Sequence, residues 1–151
     1  MTPSCVVVDA SVAVKWVLPE EHTDRAHALM TASIEARQRI VGPPHLSVEV
    51  INAIYQRRRR GEPQQRLSEA EADQALARFL AFQLEFVHPP TLYSQAFAFA
   101  RTHRLSNVYD SAYVVLAEFL ATTLWTADET LLNALGNAAP WVRWIGAYPL
   151  P

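Results

Sequence analysis

The run Cys5-Val6-Val7-Val8 breaks off at Asp9, and this junction constrains the fold more than any other stretch. Three β-branched residues in succession, with no polar alternation, read as a short strand over 4–8 buried on both faces. Such a strand needs partners on either side and helices above and below it. The rest of the sequence supplies both. Brief strand candidates fall at 39–41, 86–88, 122–126 and 141–145, and helical stretches alternate with them at 11–17, 23–37, 44–59, 68–84, 91–103, 107–121 and 128–135. Ser68 followed by Glu71 has the form of a capping box, and Pro44 can open a helix because the first turn tolerates proline. Alternating strands and helices predict an α/β fold with a parallel sheet covered on both faces. The ligand site is then expected at the carboxyl ends of the strands.

Helical periodicity gives each helix an inward face. Ala26, Leu29, Met30, Ser33 and Ile34 form one, Ala72, Ala75, Leu76, Phe79 and Leu80 a second, and Ala96, Phe97 and Ala100 a third. The stretch 107–121 is apolar around most of its circumference and belongs inside the protein. Residues 111–127 carry only Glu118 as a charge, but they fall short of the ~20-residue membrane span and read as a buried helix plus a strand. At 151 residues, half of them hydrophobic, the chain suits one domain over 1–151.

Four carboxylates stand where a site is expected. Asp9 follows the first strand, and Asp128 follows Leu124-Trp125-Thr126 by one residue. Glu49 interrupts the apolar stripe Leu46, Val50, Ala53, and Asp110 opens the buried helix on the side of Tyr113, Val114 and Ala117. Each has a purely structural alternative. Asp9 and Asp128 suit helix N-caps, Asp110 suits a first turn, and Glu49 suits a buried pair with an arginine. As a set, four acids at one sheet edge with no Lys or Arg beside them in sequence repel unless a cation neutralises them. Oxygen-only ligation selects Mg²⁺ or Mn²⁺ over zinc.

The stretches Val6-Val7-Val8-Asp9-Ala10-Ser11, Pro44-His45-Leu46-Ser47-Val48-Glu49-Val50-Ile51-Asn52-Ala53, Tyr109-Asp110-Ser111-Ala112-Tyr113 with Leu116-Ala117-Glu118, and Trp125-Thr126-Ala127-Asp128-Glu129-Thr130-Leu131 together resemble the PIN-domain family. Within it they are most like the VapC-type toxins of toxin–antitoxin pairs. Order and approximate spacing agree across nearly the whole chain. The resemblance implies a three-layer α/β/α PIN-like domain with a central, mostly parallel five-stranded sheet. It also implies a Mg²⁺- or Mn²⁺-dependent endoribonuclease that cuts structured tRNA- or rRNA-type RNA to inhibit translation and growth. Asp9, Glu49, Asp110 and Asp128 fall on the family's acidic positions, with Ser11 and Thr126 on supporting polar ones. Asp9, Asp110 and Asp128 are then the candidate metal ligands, and Glu49 a ligand or the group orienting the attacking water. A homodimer, a cognate VapB-type antitoxin and a heterotetramer or larger assembly with it are implied as well. Exposed apolar faces in 23–37 and 68–84 are candidates for a partner helix, or for ordinary packing.

The net charge of −2 argues against global steering onto nucleic acid, so RNA contact calls for a local basic patch. Arg57-Arg58-Arg59-Arg60 is the candidate, and a solvated helix end is its alternative. Tyr113, Trp16 and Trp125 are either base-stacking groups or core. A lone cysteine, Cys5, allows no internal disulfide, and no signal-peptide series opens the sequence given, so a reducing cytoplasm is the expected compartment and no membrane partner is expected. Two other functions fit parts of the pattern. One is a Mg²⁺-dependent phosphatase or phosphotransfer domain with Asp9 as nucleophile, weakened by Ser11 where a second acid would help. The other is a non-catalytic RNA- or protein-binding module.

Overall fold

The computed structural model describes residues 3–151, and over them strands and helices alternate as expected. The strands are β1 (Cys5–Val8), β2 (Arg39–Gly42), β3 (Glu85–Phe86), β4 (Leu124–Thr126) and β5 (Val142–Trp144). The helices are α1 (Ala10–Ala13), α2 (Thr23–Glu35), α3 (Leu46–Arg57), α4 (Glu69–Ala81), α5 (Leu92–His103), α6 (Val108–Phe119) and α7 (Glu129–Leu135). The strands make one sheet in the order β3-β2-β1-β4-β5. All four pairings are parallel, so the sheet is wholly parallel, and with helices on both faces the fold is a three-layer α/β/α sandwich.

β1 is central because it is the most apolar strand. Val7 and Val8 are fully buried, as are Val41 of β2 and Leu124 of β4, each burial contributing roughly 1.5–3 kcal/mol. The edge strand β3 is short and exposed. Val87 still donates its N–H to the Gly42 carbonyl at 3.0 Å, but Pro89 and Pro90 end the ladder.

Local signals set the helix boundaries. The Ser68 hydroxyl accepts from the Glu71 N–H, and the Glu71 carboxylate accepts from the Ser68 N–H, which is the reciprocal cap the sequence predicts at the start of α4. Gly42 permits the tight turn from β2 into α3, since a Cβ there would stand 2.6 Å from Leu46 Cδ2. That turn brings the first turn of α3, and Glu49 within it, to the carboxyl end of the sheet. α3 ends at Arg57, two residues before the predicted end.

Residues 111–127 divide into α6 and β4, and Ser111 to Ala117 are all buried. Among the described residues no helix is long and apolar enough to cross a membrane. Three predicted inward residues face solvent instead: Ile34, Leu80 and Phe97. In α5 the buried stripe is Leu92, Ala96 and Ala100. Small residues there allow close approach to α6, whose Ser111 hydroxyl donates to the Ala96 carbonyl at 2.8 Å, and Phe97 is left on the flank.

Candidate active site

Because every strand is parallel, the segments leaving β1, β2 and β4 emerge at one edge of the sheet. Asp9 leaves β1 almost fully buried. Its Oδ1 accepts from Ser11 Oγ at 2.5 Å and from the Val12 N–H at 3.2 Å, and its Oδ2 accepts from Thr126 Oγ1 at 2.5 Å. The two hydroxyls are themselves fixed. Ser11 Oγ accepts from the Ala127 N–H at 2.8 Å, and Thr126 Oγ1 accepts from the Asp128 N–H at 3.0 Å. Two backbone-anchored hydroxyls therefore aim their hydrogens at one carboxylate. Ser11 and Thr126, expected as supporting polar groups, both stand beside Asp9.

Asp128 caps α7 by accepting from the Leu131 N–H at 3.1 Å. Asp9 likewise caps α1. Both acids thus have the capping role that is their structural alternative, with Asp9 tied to the β4 end as well. Asp110 sits in the first turn of α6, where Asn107 Oδ1 accepts the Asp110 N–H at 2.9 Å and Asn107 Nδ2 donates to Asp110 Oδ2 at 3.0 Å. Among the described residues Glu49 has no arginine partner. The Tyr113 hydroxyl donates to its Oε1 at 2.8 Å, and His45 Nε2 lies 3.5 Å from the same oxygen.

Electrostatics tie the four acids together. Burial pushes the Asp9 carboxyl up to about 7, with the charge of Asp110 adding to the effect, although Ser11, Thr126 and Val12 pull it down. Glu49 is raised by burial and by Asp110, and Asp110 by burial and by Asp128. The Tyr113 phenol is driven far upward by burial, then by Glu49, Asp9 and Asp110, so it stays protonated and serves as a donor. Among the described residues no Lys or Arg forms an ion pair with any of the four acids. Nor do three acidic, histidine or cysteine side chains converge closely enough to cage an ion as they stand. The acids thus share one electrostatic environment.

The arginine run is divided. Arg57 Nη1 pairs with Glu20 at 3.0 Å, and the buried Lys15 Nζ reaches the same carboxylate at 3.1 Å. Arg58 pairs with Glu69 and lies over the Tyr55 ring. Within the run Arg59 and Arg60 are exposed and Arg57 and Arg58 half-buried, so the four do not form one face. Trp16, Tyr113 and Trp125 are buried and belong to the core, although the hydroxyl of Tyr113 reaches the site. Sequence spacing does not single out His45, Asn107 or the Tyr113 hydroxyl. The visible signals were His45 four residues before Glu49 and Asn107 three before Asp110, which are helix-face and capping separations.

The PIN domain family model matches residues 6–135. Ribonuclease VapC12 of Mycobacterium tuberculosis is 31% identical over 134 residues, covering 89% of this chain and 95% of that protein. Ribonuclease VapC3 of Pyrobaculum aerophilum is 32% identical over 128 residues, covering 83% and 91%. The crystal structure of PAE2754 from Pyrobaculum aerophilum superposes with a TM-score of 0.64 at 21% identity, covering 94% of this chain and 91% of that one. At that identity the likeness concerns the fold.

Proposed function

The chain belongs to the PIN-domain family, with VapC-type ribonucleases among its relatives, and from that premise we propose that it is a divalent-metal-dependent endoribonuclease, the toxin of a toxin–antitoxin pair. Its 151 residues form one PIN-like domain, and Asp9, Glu49, Asp110 and Asp128 are its catalytic acids. One observation carries the reading. The acids lie at the carboxyl edge of the sheet, Asp110 raises the proton affinity of Asp9 and Glu49 while Asp128 raises that of Asp110, and among the described residues no Lys or Arg pairs with any of the four. A hard divalent cation fits this donor set, because carboxylate oxygens are its preferred ligands and a positive charge relieves their repulsion. Asp9, Asp110 and Asp128 would hold it, after side-chain adjustment of the capping acids.

A bound Mg²⁺ or Mn²⁺ would supply an activated water and would neutralise charge on the phosphoryl and leaving oxygens. The protein's own groups do the positioning. Ser11 and Thr126 fix the plane of the Asp9 carboxylate, and Asn107 fixes that of Asp110. Glu49, half-buried and hydrogen-bonded by Tyr113, would accept the proton of the attacking water, and its raised pKa would make it a better base than an exposed glutamate. An aspartyl-phosphate route through Asp9 is less well supported, because Ser11 stands two residues on, where a second acid would help to hold Mg²⁺.

The substrate on this reading is structured RNA of the tRNA or rRNA type, cut in the cytoplasm. A VapB-type antitoxin restrains the enzyme, as a homodimer or in a larger assembly. Induced expression followed by sequencing of the 5′ ends of cellular RNA fragments tests the proposal. Discrete cuts should appear with the wild type and vanish with Asp9→Asn, and purified protein should lose cleavage in EDTA. Cleavage that persists without metal would overturn it. RNA affinity and growth arrest unchanged after neutralising all four acids would instead identify a binding module.

A further inference from the structure

His45 immediately precedes α3, and its carbonyl accepts from the Glu49 N–H at 3.1 Å. Its side chain caps no backbone N–H of the helix, so the imidazole is free for another contact. Nε2 lies 3.3 Å from the Tyr109 carbonyl oxygen and 3.5 Å from Glu49 Oε1, the oxygen that also accepts from the Tyr113 hydroxyl. Two acceptor oxygens therefore face one ring nitrogen. A carbonyl only accepts, so the contact at 3.3 Å requires the hydrogen to be on Nε2, in the neutral ring as in the charged one. With the hydrogen on Nδ1 alone, the Nε2 lone pair would stand against both oxygens. Tyr109 precedes Asp110 in the first turn of α6, so this one N–H joins the segment that carries Glu49 to the segment that carries Asp110.

We propose that His45 is a positioning residue: its Nε2–H, fixed in that tautomer by the Tyr109 carbonyl, holds the Glu49 carboxylate at the acid site and ties it to the start of α6. The proposal rests on the nuclease reading above, in which Glu49 takes the proton of the attacking water. Together with the Tyr113 hydroxyl, the positive end of the N–H dipole restrains Oε1, and a base that cannot swing away stays within reach of the water. The competing account is that the ring only packs, since it meets the Tyr113 ring edge-on at 5.1 Å and lies 5.9 Å from that of Tyr109. The two accounts differ in what a substitute must supply. Packing needs a flat apolar body, which phenylalanine has. Positioning needs a donor at the place of Nε2, which the glutamine amide has; the shorter asparagine places its amide nearer Nδ1.

The tautomer is read directly in the full, metal-free chain by two-bond hydrogen–nitrogen NMR correlation of the His45 ring near pH 8, above the ordinary histidine pKa of about 6.5. Nε2 should be protonated and Nδ1 bare. A hydrogen on Nδ1 would overturn the proposal whatever the variants do. Cleavage is then followed with Mn²⁺ and an RNA oligonucleotide spanning a cut site mapped as above. His45 acts on Glu49 and not on the RNA, so His45→Phe should lower kcat roughly 10- to 100-fold with KM unchanged. His45→Asn should do the same, and His45→Gln should restore most of the rate. The reverse order, with the phenylalanine variant active and the glutamine variant not, would assign the ring to packing and overturn the proposal. The two readings fail separately. A hydrogen on Nδ1 in a wild type that cuts RNA removes the role of His45 and leaves the nuclease. A hydrogen on Nε2 in a wild type that cuts no RNA keeps the arrangement and removes the nuclease.

Discussion

Thr126, at the end of β4, donates its hydroxyl hydrogen to Oδ2 of Asp9, 117 positions away at the end of β1. Because the same hydroxyl accepts from the Asp128 N–H, it couples the two strand-end acids through a single oxygen. Thr126→Val keeps the shape and removes this bridge. Groups that orient catalytic or ligating carboxylates are typically worth 10–100-fold in activity, so cleavage should fall by about that factor. Thr126 also lowers the Asp9 pKa, so the acid limb of the rate–pH profile should move to higher pH. A variant with wild-type rates and an unmoved profile would contradict this role.

Stability of the metal-free protein should fall as pH rises from 5 to 8. Asp9 titrates near 7 in the native state against an ordinary 3.8, so between those values the native chain holds a proton that the unfolded chain has released. The unfolded state then binds fewer protons, and unfolding becomes easier with increasing pH, by up to about 1.4 kcal/mol per pH unit for each such group. This stabilisation is complete below the ordinary pKa and is lost through 7. Glu49 and Asp110 shift in the same direction. Urea denaturation should show a loss of roughly 2–3 kcal/mol over this range, reduced by added Mg²⁺ and flattened in Asp9→Asn. A stability that rises with pH would reject the account.

What the sequence revealed depended on how locally each feature is determined. β1 was legible because four apolar residues ending in an aspartate have few alternatives, and the α4 cap because both of its partners lie within three residues. The four acids were legible from local pattern: Glu49 breaks an apolar stripe, Asp9 and Asp128 closely follow strands, and Asp110 opens a buried helix. Long-range relations were not. That Glu49 is held by Tyr113, 64 positions on, follows from α3 and α6 both beginning near the carboxyl edge of the sheet. The outward turn of Phe97 follows from α5 packing closely against α6 through alanines, which periodicity alone cannot separate from an inward ring. The partners of the arginine run were not legible for the same reason. Four adjacent charges suggest a patch, but Glu20 and Glu69 take two of them in different directions.

Tyr113→Phe removes the only hydroxyl donor to Glu49 among the described residues and leaves its carboxylate half-buried. Hydrogen bonds to a charged group contribute roughly 1.5–3 kcal/mol, a figure reduced here by partial exposure, so thermal unfolding should show a loss of about 1 kcal/mol. Tyr113 lowers the Glu49 pKa, and its loss should raise that value further. Carboxyl chemical shifts of Glu49 followed through a pH titration would register the change. An unmoved titration would mean that the contact is incidental.

Arg57 and its neighbours should separate by role. Arg57 and Lys15 share the Glu20 carboxylate and tie the end of α3 to the segment after α1. Arg57→Ala leaves Lys15 and Glu20 as a pair, so the loss should be modest, within about 1 kcal/mol, and visible as a lowered unfolding midpoint. Arg59 and Arg60 have no ion-pair partner among the described residues, so Arg59→Ala and Arg60→Ala should leave that midpoint unchanged. If they contact phosphates, each substitution lowers RNA affinity similarly for all sequences and reduces the dependence of log K on log salt by close to one. Binding isotherms at several salt concentrations measure that slope. A slope that changes with Arg57→Ala but not with Arg59→Ala or Arg60→Ala would place the RNA path along the Glu20 network instead of the exposed end of the run.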